Sequence, residues 1–91
     1  MTIYYKAKHI LLEEEEDTEY ILEQLAAGIS FEKLALEFSE CDSAKDGGDL
    51  GRFCAGTMVA EFERALYKME VGEVKARVKT KFGYHLILRL E

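Results

Sequence analysis

From Ile3 to Leu12 the chain is rich in β-branched and aromatic residues and ends in the apolar run Ile10-Leu11-Leu12, which predicts a largely buried strand. The acidic run Glu13 to Asp17 follows, then a helical pattern with Ile21, Leu22, Leu25 and Ala26 three and four positions apart. Acidic side chains suit a helix start, and Gly28 supplies a left-handed stop. Ser30 reads as the cap of a second helix carrying Phe31, Leu34, Ala35 and Phe38 on one face, with Ile29 and Leu34 placed as a hydrophobic staple. Periodicity disappears from Cys41 to Gly56, where glycines cluster around one short strand, Asp49 to Phe53. A third helix starts near Val59, with Met58, Phe62, Ala65, Leu66 and Met69 as its apolar stripe, and Gly72 ends the turn after it.

The last twenty residues alternate in two registers. Lys75, Arg77, Lys79 and Lys81 fall on one face and Ala76, Val78, Thr80 and Phe82 on the other, a strand with one wet face. After a turn at Gly83, Tyr84, Leu86, Leu88 and Leu90 alternate with His85, Ile87 and Arg89 in a closing antiparallel strand. The order β-α-α-loop-β-α-β-β defines an α+β domain.

At 91 residues the chain suits one domain, residues 1–91, too short for two cores. An apolar fraction of 48% beside 33% charged residues excludes a disordered or membrane-spanning chain, and no transmembrane stretch occurs. The segment Met1 to Lys6 lacks a basic region followed by an apolar run, so a cytoplasmic home is expected. A net charge of −6 argues against a nucleic-acid partner, which would call for clustered Lys and Arg. With its apolar stripes assigned to helices and sheet, the chain is expected to be a monomer. Cys41 and Cys54, thirteen residues apart, match no common zinc or redox spacing and read as reduced thiols.

Candidate chemistry centres on two histidines in apolar strands near opposite ends of the chain, His9 and His85. If the first and last strands are neighbours, the imidazoles can meet across the sheet. The plainer reading is two separate core histidines, each satisfied by one hydrogen bond. Cys41 with either histidine could form the thiolate pair of a hydrolase, although nothing around it resembles a cysteine protease or supplies an oxyanion hole. A metal site from His9, Cys41, Cys54 and His85 has no supporting spacing. Cys54 alone reads as structural.

The segments Lys8-His9-Ile10-Leu11, Phe38-Ser39-Glu40-Cys41, Ser43-Ala44-Lys45, Gly47-Gly48-Asp49-Leu50-Gly51-Arg52-Phe53, Met58-Val59, Phe62, Val71-Gly72-Glu73-Val74 and Phe82-Gly83-Tyr84-His85-Leu86-Ile87 occur in the order and spacing of the parvulins. The chain resembles a complete parvulin-type peptidyl-prolyl cis/trans isomerase domain. That resemblance implies an FKBP-like fold, a four-stranded antiparallel sheet surrounded by helices, which binds proline-containing polypeptides in a shallow cleft without cofactor or metal. It assigns His9, Cys41, Thr80 and His85 to the catalytic set, with Cys41 at a polar position that other members fill with Cys or Asp. It places Leu50, Met58, Phe62 and Phe82 around the proline.

Two departures stand out, Ala60 and the region of Ala76, where the family commonly has proline. A missing proline at the first helical position implies a modest stability cost. Phosphate-directed parvulins carry basic residues after the first strand, whereas Glu13 to Asp17 would repel a phosphorylated residue. The expected function is therefore non-covalent, phosphate-independent isomerisation of X-Pro bonds. A prolyl-peptide or chaperone module with weak turnover is the second reading, and a Cys-His hydrolase the third. The lysine-rich strand reads as a solvated face, and the acid run as a solubility feature with weak steering of substrates.

Overall fold

The computed structural model describes residues 3–91. Its elements are β1 (Tyr4–Leu12), α1 (Glu15–Ala26), α2 (Phe31–Phe38), a 3-10 turn (Asp42–Asp46), β2 (Asp49–Cys54), α3 (Ala60–Lys68), β3 (Val74–Thr80) and β4 (Gly83–Arg89). The strands form one antiparallel sheet in the order β2-β1-β4-β3, so the first and last strands lie side by side at its centre.

Both faces of the sheet are covered. On one, Tyr5, Ala7, Val78 and Ile87 meet Phe62, Leu66 and Met69 of the α3 region; on the other, Ile10, Leu12 and Leu86 meet Ile21 of α1 and Phe31 and Leu34 of α2. Leu86 and Ile87 are adjacent in β4, point to opposite faces and are both fully buried, so one dipeptide anchors both cores. Burial of each such side chain stabilises the fold by roughly 1.5 to 3 kcal/mol.

The helix boundaries follow local chemistry. Glu15, Glu16 and Asp17 form the first turn of α1, where negative charge complements the helix dipole, so only Glu13 and Glu14 of the acid run link it to β1. Gly28, at φ +97°, ends that helix. Ser30 caps α2 by accepting the Lys33 amide, and Ile29 and Leu34 belong to one apolar cluster. Ala60 opens α3 without a proline. At its far end the Arg89 guanidinium donates to the Leu66 and Met69 carbonyls, satisfying groups the helix leaves unpaired.

The sequence pattern failed in three places. Phe38 is 38% exposed, its ring edge-on to Tyr20. Ala26, placed on the apolar stripe of α1, is exposed. The largest difference concerns the last strands, where one extra residue in β3 at Ala76–Arg77 shifts its register against β4. Val74 and Ala76 therefore pack on the α1–α2 face, while Val78 joins the α3 face. Simple alternation would have kept Ala76, Val78 and Thr80 together. Arg77 absorbs the bulge at φ +60° and pairs with Glu15 and Glu19 of α1.

Candidate active site

β1 and β4 are paired so that His9 lies opposite Ile87 and Leu11 opposite His85. The two histidines are thus diagonal neighbours on the α3 face, not the directly opposed pair that the sequence suggested. They still meet: Nδ1 of one lies 3.0 Å from Nδ1 of the other, with the rings nearly parallel and their centroids 5.2 Å apart. Phe62 presses edge-on against both imidazoles, at 5.6 and 5.4 Å.

The bulge in β3 turns Thr80 toward this pair, and its Oγ1 lies 2.8 Å from His85 Nε2. At the other end, Ser43 Oγ lies 3.1 Å from His9 Nε2. A hydrogen-bonded chain therefore runs from Thr80 through His85 and His9 to Ser43. The Phe82 amide donates to Thr80 Oγ1 at 3.1 Å, which leaves the hydroxyl one hydrogen and one lone pair to meet His85 Nε2. With both rings neutral, one Nδ1 carries the hydrogen and the other accepts it, so the chain polarises in a single direction between Thr80 and Ser43. Both histidines are almost fully buried, and both pKa values fall from 6.5 to about 4. Loss of hydration is the main cause for each, and for His9 the neighbouring His85 lowers it further. At neutral pH the pair is uncharged, as a donor-to-acceptor chain requires.

Next to the imidazoles lies a largely apolar pocket of about 350 Å³. Leu50, Met58, Phe62 and Phe82, the four side chains placed around proline from the sequence, all line it. An extra residue in β2 at Leu50–Gly51 loosens that strand's pairing at the pocket edge. Phe82, 61% exposed in the turn after β3, stands at the mouth. Leu11 and Val59, marked in the sequence only by their place in a motif, and Thr57, which was not marked, also line it.

Cys41 also lines the pocket, held there because Ser39 Oγ accepts the amides of Leu11 and Cys41. Its thiol makes no hydrogen bond to either histidine, and all four ring nitrogens are already engaged. The network expected to include Cys41 instead ends on Ser43, a residue that only its place in a motif had marked. Cys54, read as structural, is exposed, with Sγ 3.7 Å from Thr57 Oγ1. Among the described residues, no group of three or more His, Cys, Asp or Glu side chains is placed to hold a metal ion.

A family model for the rotamase, or PPIC-type PPIASE, domain matches residues 7–91. Foldase protein PrsA 1 of Bacillus cereus is 51% identical over 83 residues, covering 90% of this chain and 29% of that protein. The chain thus spans less than a third of the length of that foldase. The crystal structure of PrsA from Bacillus subtilis superposes with a TM-score of 0.92 at 42% identity, over 97% of this chain and 35% of that one. The solution structure of NmPin, the parvulin of Nitrosopumilus maritimus, superposes with a TM-score of 0.87 at 42% identity, over 100% of this chain and 99% of that one.

Proposed function

The chain belongs to the PPIC-type peptidyl-prolyl cis/trans isomerase, or parvulin, family, and from that premise we propose that it accelerates rotation about X-Pro bonds in peptides and folding proteins, without covalent attack and without need of a phosphorylated residue. The observation that carries this reading is the placement of an apolar pocket directly against a buried, neutral histidine pair.

Rotation about an amide C–N bond costs about 18 to 20 kcal/mol because resonance keeps it planar. Clamping the proline ring between Met58, Phe62 and Phe82 fixes one side of the bond while the preceding residue turns. A dry surrounding disfavours the polar planar amide relative to the twisted, less conjugated transition state, and each 1.36 kcal/mol of such differential binding is tenfold in rate. The chain from Thr80 to Ser43 holds the imidazoles rigid and uncharged at the pocket floor. Cys41 serves as a polarisable wall.

Phosphate independence rests on charge. Glu13 and Glu14 alone link β1 to α1, and the nearby Arg77 is already paired with Glu15 and Glu19. Lys75, Lys79, Arg64 and Lys68 border a separate shallow groove whose lining shares no residue with the proline pocket. A cytoplasmic home belongs to the same proposal, supported by two free thiols, one of them exposed, and so does a monomeric state.

The test is cis/trans exchange followed by NMR, without a coupled protease, in X-Pro peptides with neutral, basic or phosphorylated residues before proline. Faster exchange of the neutral and basic peptides supports the proposal. Preference for the phosphorylated peptide refutes phosphate independence, and binding without acceleration supports the chaperone reading. Cys41→Asp separates the hydrolase reading, since a thiol nucleophile cannot survive it and a non-covalent site can.

A further inference from the structure

One wall of the proline pocket is irregular backbone. Thr57, Met58 and Val59 lie between β2 and α3, in a stretch with no sheet partner to fix it. Its amide groups must find acceptors elsewhere. Ala55 donates to the Ile3 carbonyl and Thr57 to the Cys54 carbonyl. Two further amides go to a single side chain: Gly56 donates to both carboxylate oxygens of Glu63, at 2.9 and 2.8 Å, and Met58 donates to Oε2 at 2.9 Å.

Glu63 lies in the first turns of α3, one residue after Phe62, whose ring supports the histidine pair. Val59, at the helix cap, has no side chain able to accept these amides. Glu63 thus ties the irregular wall of the pocket to the helix that carries Phe62. Glu63 does not line the pocket and touches neither histidine.

We infer that Glu63 is a positioning residue for the proline pocket: its carboxylate fixes the backbone from Gly56 to Met58 and so sets the gap between Met58 and Phe62 that receives the proline ring. This deepens the isomerase reading and rests on it. The geometry assigns Glu63 to binding rather than to barrier crossing, because the chain of hydrogen bonds through His9 and His85 does not include it.

Three variants test it, Glu63→Ala, Glu63→Asp and Glu63→Gln, each assayed for prolyl-peptide Kd, for KM and kcat by NMR exchange, and for Tm. Glu63→Gln keeps a carbonyl oxygen able to accept both amides, and its Kd should stay within about twofold of the parent. Glu63→Asp keeps the charge near the helix start but falls one methylene short, so it separates reach from helix electrostatics even if Glu63→Ala fails to fold. Asp and Ala should each raise Kd and KM roughly tenfold, a loss of a charge-assisted hydrogen bond or more, with kcat within twofold. A folded Asp or Ala variant with unchanged Kd, or with kcat lost at unchanged KM, overturns the assignment. A parent that binds the peptide without accelerating exchange sinks the isomerase reading, while the Kd comparison still decides the role of Glu63. A parent that binds no prolyl peptide overturns both.

Discussion

His9 and His85, seventy-six residues apart in the chain, share one proton between Nδ1 atoms 3.0 Å apart, an arrangement that fails once both rings are charged. Charging both rings places two N–H groups face to face, and charging either one puts an ion in a buried site. The folded pKa of each lies near 4, below the ordinary 6.5, so between those values the unfolded chain binds more protons than the folded one. Stability should therefore be fully present above about pH 6.5 and decline as pH falls toward 4. The midpoint of urea unfolding should already drop between pH 7 and pH 5, before most carboxylates titrate. A flat profile across that window would show that the pair titrates normally and is not the buried neutral dyad described.

Thr80→Val keeps shape but removes the hydroxyl that serves both His85 Nε2 and the Phe82 amide. Leaving buried polar groups unpaired costs about 1 to 3 kcal/mol each. Thr80→Val should lower the unfolding free energy within that range, and the Nε2 resonance of His85 should shift toward a changed tautomer. Thr80→Ser should retain most of both. Equal stability of the Val and Ser variants would mean the hydroxyl is not part of the chain.

Much of this was legible in the sequence because periodicity reports burial. The helices bury Ile21, Phe31, Leu34, Ala35, Phe62, Ala65 and Leu66 as their spacing selected, with Leu22 and Leu25 half-buried. The histidines could be paired only conditionally, since strand order is a long-range property that alternation does not encode. The bulge at Ala76–Arg77 was invisible for a related reason: an inserted residue flips every later side chain to the other face, yet Lys75, Arg77 and Lys79 stay exposed on both sides of it and the alternation reads unbroken. Ser43 sits in a 3-10 turn and Glu63 on the polar side of a helix, and their partners are a ring nitrogen and backbone amides. No pattern of side-chain hydrophobicity points to such contacts.

Phe82 and Phe62 both line the pocket but differ in what else they hold. Phe82 is 61% exposed, whereas Phe62 is 2% exposed and belongs to the core. Phe82→Ala should change stability by no more than about 0.5 kcal/mol, as surface substitutions do, while raising KM severalfold. Phe62→Ala should cost about 3 to 5 kcal/mol and loosen the histidines it braces. Denaturant unfolding beside NMR exchange distinguishes the two, and an unchanged KM in the Phe82 variant would remove it from the binding surface.

Gly48 ties the glycine-rich segment to the site, accepting the His9 amide at 2.9 Å while its own backbone stands at φ +84°. A Cβ there would lie 2.4 Å from the His9 carbonyl oxygen and 3.1 Å from Ala35 Cβ. The left-handed conformation alone costs a side chain about 1 to 2 kcal/mol, and the clash falls on backbone that cannot swing aside as a flexible side chain would. Gly48→Ala should therefore destabilise the fold by more than that strain alone and displace His9 from His85, because relief requires β1 to move away from the loop. The expected signature is a lower Tm together with reduced kcat, read by thermal unfolding and NMR exchange. A Gly48→Ala protein with parental kcat would show that the strand absorbs the clash without moving the imidazole, and that the rigidity of this loop is not what aligns the pair.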